Sequence, residues 1–214
     1  MYEREISMTI VLMLCMFAIF LLIDYFRKGK TVKAEEPVRS YTPSLIGGFR
    51  LPENLSYHLG HTWALSESPT LVRVGMDEFA AKLIGKIDAL ALPARGTWVR
   101  QGQKFATITR DGKTMNLVSP IEGTVADIND AAIADPETAR KDAFKSGWFM
   151  TVQSPDQKIN FRNLLNGNLA RRWMEEAAMR MHPAYAQDGG EAVDDFAVAA
   201  GKDWEAAAKE YFLN

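Results

Sequence analysis

The chain offers little chemistry at cysteine or histidine. Its single cysteine, Cys15, lies inside an apolar run, so no intramolecular disulfide and no thiolate metal cluster can form. The only histidines are His58, His61 and His182, and no Gly-x-Ser-x-Gly elbow accompanies them. A nucleophile with a matching base cannot be assembled from this set, and the sequence reads as that of a non-enzyme. His58 and His61 stand three residues apart, a spacing that on a helix offers two metal ligands. No further His, Cys or carboxylate joins them at metal-site spacing, so no metal is expected. Neither sign of charge is in excess: 25 Lys and Arg oppose 27 Asp and Glu, for a formal net charge of −2. Without a clustered basic face there is nothing to hold nucleic-acid phosphates, and nucleic acid is excluded as a partner.

Long apolar runs are also scarce, with one exception. Ile6 to Phe26 is free of charge before Asp24 and contains no helix breaker. About 20 mostly apolar residues suffice to cross a hydrocarbon core of about 30 Å, so residues 1–28 are expected to hold a short N-terminal segment and a single transmembrane helix. The competing reading is a cleaved signal peptide. Glu3-Arg4-Glu5 is not a basic leader, however, and no small-x-small cleavage site follows, which favours the anchor. Arg27, Lys28, Lys30 and Lys33 crowd the C-terminal flank against Arg4 on the other side. The positive-inside rule then leaves the N-terminus outside the cytoplasmic (inner) membrane and everything after residue 27 in the cytosol. Cys15 follows Leu-Met-Leu rather than small residues, and reads as a lipid-facing or packed thiol.

Residues 29–54 read as a linker off the membrane followed by an apolar lead-in, Leu45 to Glu53, with Gly47-Gly48 and Pro52. From residue 55 short apolar runs alternate with turn signals: Thr62–Leu65, Thr70–Gly75, Lys86–Leu92, Lys104–Arg110, Thr114–Val118, Gly123–Ile128 and Trp148–Val152. Such spacing predicts a sandwich or barrel of short strands. Asp111-Gly112 between two of the runs is the strongest hairpin signal in the chain, since both residue types tolerate the positive φ of a type I′ turn. A short helix is predicted at Met76–Leu83, capped by Asp77 and ended by Gly85. Another is predicted near Pro136–Arg140, with Asp135 as its cap. Leu164, Leu165, Leu169, Trp173, Met174, Ala177 and Met181 recur at helical steps over Phe161–Met181, with Gly167 a possible break and Pro183 a stop. A tail helix is expected over Glu191–Asn214, with Trp204, Tyr211 and Phe212 on its apolar face. An apolar stripe looks the same whether it meets its own domain or a partner, so Trp173 and Trp204 are candidates for either. Asp127, Asp130 and Asp135 form a local acidic group that reads as turn and cap chemistry.

Several stretches resemble the glycine cleavage system H-protein, a lipoyl-carrier family. They are Tyr57-His58-Leu59-Gly60-His61-Thr62-Trp63, Val72-Arg73-Val74-Gly75-Met76-Asp77-Glu78-Phe79-Ala80, Leu83-Ile84-Gly85, Leu92-Pro93-x-x-Gly96, Val99-x-x-Gly102, Ser119-Pro120-Ile121-Glu122-Gly123, Asn129-Asp130, Asp135-Pro136-Glu137 and Gly147-Trp148. The resemblance covers roughly residues 55–166, leaving 167–214 as a helical extension. It implies a mainly β barrel-sandwich hybrid with peripheral helices, and a hairpin-tip lysine that carries lipoic acid as a swinging arm. That lysine stands eight residues before the proline matching Pro120, with a glutamate three residues earlier. In this chain those positions hold Gly112 and Thr109. Lys113 is one residue out of register, and a one-residue shift along a strand turns a side chain to the opposite face.

The expected protein is therefore a non-catalytic single-pass subunit without a cofactor, its H-protein-like domain an interaction module in a larger membrane complex. A respiratory or photosynthetic electron-transfer assembly is a natural host. The transmembrane helix and C-terminal helices would meet the other subunits and the lipid bilayer. The alternative is a membrane-tethered carrier with lipoic acid on Lys113.

Overall fold

A computed structural model of the chain describes residues 13–22, 45–181 and 209–213, and the chain divides into two units, Met1–Thr42 and Pro43–Asn214. In the first unit residues 13–22 are helical, with the apolar side chains of Met13, Phe17 and Phe20 exposed. No helix among the described residues is long and apolar enough to cross a membrane. The rest of the predicted Ile6–Phe26 span lies outside the described residues, as do the linker 29–44 and, apart from 209–213, the predicted tail helix.

The second unit is mainly β. The lead-in forms a small hairpin, β1 (Leu45–Ile46) and β2 (Phe49–Arg50), turned through Gly47 and Gly48. The larger sheet begins with β3 (Ser56–His58), β4 (Thr62–Ser66) and β5 (Leu71–Met76). Helix α1 (Glu78–Ile84) follows. Then come β6 (Ala89–Ala91), β7 (Trp98–Val99), β8 (Lys104–Arg110), β9 (Lys113–Val118) and β10 (Gly123–Ile128). Two short helices, α2 (Asp130–Ala134) and α3 (Glu137–Lys141), precede β11 (Met150–Gln153). Helices α4 (Gln157–Arg162) and α5 (Gly167–Met181) follow, and of the residues beyond them 209–213 are described, with Tyr211 and Phe212 buried in the core.

Six strands pair in the order β3-β4-β5-β11-β10-β7 and three in the order β6-β8-β9. The inward residues of the two sheets form one core: Trp63, Val72, Val74 and Val152 from the larger, Ala106, Ile108 and Leu117 from the smaller, all buried. This alternation is what a strand with one buried face requires. The sheets are tied by the Thr62 hydroxyl, which donates to the Val118 carbonyl at 2.9 Å. Phe105 of β8 meets Phe149 beside β11, with ring centroids 6.3 Å apart.

The strands at Lys104–Arg110 and Gly123–Ile128 have the predicted bounds. Others differ for local reasons. The predicted Lys86–Leu92 strand shrinks to Ala89–Ala91 because the Ile87 N–H is taken by the Glu137 carboxylate at 3.1 Å. Strands β3 and β7 go beyond the predicted set and are only three and two residues long, too short for alternation to register. Asp77 caps α1 as expected, its carboxylate accepting from the Ala80 N–H at 2.8 Å, and Gly85 ends it at φ +68°. Asp135 does not cap α3. It ends α2 instead, and its carboxylate accepts from the Thr138 hydroxyl, leaving Pro136 at the N-terminal boundary without a side-chain cap.

The predicted Phe161–Met181 helix is two helices. Residues 163–166 leave the helical path so that Leu165 exchanges both backbone hydrogen bonds with Tyr57, each 2.8 Å. This resets the helical phase, and Leu169, assigned from periodicity to the buried stripe, is 65% exposed. The face of α5 that packs on the sheet is Ala170, Trp173, Met174, Ala177 and Ala178.

Two glycines separate close packing from conformation. A Cβ on Gly123 (φ +153°) would lie 2.3 Å from the Gln153 carbonyl oxygen, part of the partner strand's backbone, whereas one on Gly102 (φ +78°) would meet nothing within 4 Å. Gly123→Ala is expected to cost about 3 kcal/mol, the upper end of overpacking, and Gly102→Ala roughly 1 kcal/mol for the left-handed backbone alone. Chemical denaturation measures both, and equal losses would contradict this account.

Candidate functional site

The β8–β9 hairpin is a two-residue hairpin in which Arg110 pairs with Lys113 across Asp111 and Gly112. The two central residues have φ of +50° and +73°. Positive φ at both is the type I′ pattern, whose twist matches that of the flanking strands. Asp and Gly adopt it at low cost, which is why this dipeptide closes the turn. Around Gly112 a side chain would meet nothing within 4 Å, so the tip is open space.

The tip is nonetheless held. The Asp88 carboxylate accepts from the Asp111 N–H at 2.7 Å, and the Asp88 N–H donates to the Thr109 carbonyl at 2.9 Å. Lys86 pairs with the same carboxylate at 3.1 Å. The hydrogen bond from Asp111, then Lys86, holds the Asp88 carboxyl below its ordinary range, and the bond to Asp88 raises Lys86. Arg110 extends sideways from the hairpin, donating to the Ile84 carbonyl at the end of α1. Asp88 thus joins the start of β6 to the turn, and Arg110 joins the hairpin to a helix.

Gly112, the position in register with a carrier lysine, is the second turn residue; Lys113 is the first residue of the descending strand and is exposed. Thr109, at the glutamate position, pairs with Thr114 and Ala89. Hairpin closure therefore brings Lys113 beside the tip while glycine occupies it.

The two described histidines part company. The His58 Nδ1 accepts from the Gly60 N–H at 3.1 Å, and burial lowers its affinity for a proton. His61, at φ +59°, is buried, and its Nδ1–H donates to Asp77 Oδ2 at 2.8 Å. Its ring stacks on Phe79 at 4.2 Å and faces Trp173 at 4.6 Å. No group of three or more metal-ligating side chains occurs among the described residues. Of the acidic group, Asp127 and Asp130 both bind Arg95, at 2.8 and 2.7 Å, while Asp135 serves α2 and α3. Trp173 is buried within its own unit rather than displayed; Trp204 lies outside the described residues. The His61–Asp77 and Asp88–Asp111 contacts escape sequence reasoning because they join residues 16 and 23 positions apart. Only the capping role of Asp77 gave any local signal.

The glycine cleavage H-protein family matches residues 55–177. The glycine cleavage system H protein of Anaeromyxobacter sp. (strain K) is 30% identical over 126 residues, 59% of this chain and 97% of that protein. That of Xanthomonas euvesicatoria pv. vesicatoria (strain 85-10) is 32% identical over 108 residues, 50% of this chain and 82% of that protein. Among solved structures, a glycine cleavage system H protein from Mycobacterium marinum aligns at 28% identity with a TM-score of 0.46, covering 49% of this chain and 86% of that one.

Two predictions follow from the geometry of the histidine pair and the tip. Asp77→Ala removes a cap, worth about 1 kcal/mol, and orphans the buried His61 donor, worth roughly 1–3 kcal/mol more; Asp77→Asn keeps an acceptor for Ala80 and is expected to lose less in denaturant unfolding. At the tip, the depressed folded value of Asp88 means its tie to Asp111 contributes fully above the unfolded aspartate range and is lost as pH falls through the folded value. In an NMR titration the Asp111 amide should show a step below the ordinary aspartate range that disappears in Asp88→Asn. A step at or above that range would contradict the assignment.

Proposed function

The chain belongs to the glycine cleavage H-protein family, and from that premise we propose that it is a non-catalytic, single-pass membrane subunit whose H-protein-like domain binds neighbouring proteins and carries no lipoyl group. The observation that supports this most is the tip itself. Where the family's register calls for a lysine, Gly112 sits at φ +73° in a turn that Asp111 and Gly112 close on their own. Lysine at Gly112 would have to adopt a left-handed backbone, at a cost of roughly 1–2 kcal/mol. Asp88 and Arg110 further tie the hairpin to β6 and α1, a tip fixed for contact rather than for swinging.

The anchor rests on Ile6–Phe26, whose described part is helical with its apolar side chains exposed. Basic residues on its C-terminal flank put the domain on the cytosolic face of the inner membrane. Other subunits of a larger membrane complex, such as an electron-transfer assembly, would be met by this helix and by the outer side of α5. There Leu169 and Met179 are exposed, since the inner side is taken up by the chain's own sheet.

Intact-mass measurement of protein purified from its native membranes is expected to show no lipoyl adduct, and Lys113→Ala is expected to leave function unchanged. An adduct on Lys113 would establish the carrier reading in its place. In mild detergent the protein is expected to migrate with other subunits; migration alone would remove the subunit reading.

A further inference from the structure

Helix α5 has two faces of different character. Its inner side is closed, with Ala170, Trp173, Met174, Ala177 and Ala178 packed on the sheet. Its outer side carries Leu169, Arg172, Glu176 and Met179, spaced three, four and three residues apart, which sets them along one seam of the helix. All four are exposed, the leucine at 65% and the methionine at 52%. The two charges between them are unclaimed. Arg171 pairs with Glu53 and Arg180 lies over Tyr211, whereas among the described residues Arg172 and Glu176 make no ion pair. They stand four residues apart with the cation first, the weaker of the two orders for a pair within one helix.

Reversed end for end, the seam is its own complement. Leu169 and Met179 lie five residues to either side of Met174, and Arg172 and Glu176 two residues to either side. Two such helices laid antiparallel and level at Met174 therefore set leucine against methionine at both ends and arginine against glutamate at both positions between. That is the condition for an isologous contact, in which residue i meets j and j meets i. A parallel pairing would set each charge against its own kind and lose what the antiparallel one gains. A partner of another sequence would have to repeat this order of side chains, whereas a second copy already has it.

We propose that the outer side of α5 pairs antiparallel with α5 of a second copy of this chain, Leu169 against Met179 and Arg172 against Glu176 in both directions about a two-fold axis level with Met174. The apolar pairs supply the burial, and the charged pairs fix direction and register. A helix of 15 residues is about 22 Å long, so the contact lies at the small end of specific interfaces and the dimer dissociates on dilution. The pairing rests on the reading of the outer side of α5 as an interaction face, and gives that face its occupant.

The test follows the mass of the full chain in mild detergent by sedimentation over a concentration series. The unsubstituted chain is expected to pass from monomer to dimer as concentration rises. Arg172→Glu alone and Glu176→Arg alone each put like charges into both central contacts, and each should weaken the dimer by about tenfold or more. Neither should alter unfolding in denaturant, since both residues are exposed and unpaired. Mixing the two single variants, or combining both substitutions in one chain, returns opposite charges to both contacts and should restore the dimer. Added salt should weaken the unsubstituted dimer and strengthen those of the single variants. A chain that stays monomeric, a dimer indifferent to either substitution, or no recovery on mixing would overturn the proposal. A monomer that still migrates with other subunits from native membranes overturns the self-pairing and leaves the subunit reading standing; a charge-sensitive dimer that migrates without other proteins does the reverse.

Discussion

One buried hydrogen bond organises the second unit: His61 Nδ1–H to Asp77 Oδ2, 2.8 Å, with both side chains inaccessible to water. It joins the start of β4 to the start of α1. The same carboxylate caps that helix through Ala80, so both oxygens of Asp77 are used. Held this way, the imidazole becomes a flat surface on which Phe79, Trp173, Tyr211 and Phe212 assemble. A buried polar pair of this kind costs desolvation and repays it only when every polar atom is matched; here the matching is what lets three separate segments converge on one ring.

Much of the fold was legible because it is written in local chemistry. Asp111-Gly112 announced a type I′ turn, and both residues have positive φ. Asp77 and Gly85 announced the ends of α1. What failed was anything set by contacts distant in sequence. Leu169 matched the apolar period of the preceding segment, yet Leu165 pairs with Tyr57 more than a hundred positions away and shifts the phase of everything after it. Asp135 looked like a cap because it precedes a proline, but α2, which it ends, is only five residues long and left no period to read.

The candidate site was legible in part for the same reason. The register that places glycine at the tip is a matter of counting, and the pairing of Arg110 with Lys113 puts Gly112 in the turn. The ties that hold the tip, from Asp88 and Arg110, were invisible: an exposed aspartate before a strand and an arginine at the end of one carry no signal until the fold brings Asp88 to the Asp111 N–H and Arg110 to the Ile84 carbonyl. The aromatic contacts around His61 were hidden as well, since they join the β3–β4 turn to α1, α5 and residues 211–212, far apart in the sequence.

The hairpin has a further consequence, for the order in which the chain assembles. With only two residues between β8 and β9, its closure belongs among events of about 1–10 μs. By contrast, β11 must return to β5, so that Met150 finds Val74 across most of the domain, a loop whose closure entropy has to be met before its contacts are gained. The hairpin is thus expected to close first and to offer Ile108 and Leu117 as an early apolar surface; φ-values near zero at these two positions would contradict that order. A turn expected to start the folding of its domain serves it in that way whether or not its tip carries anything.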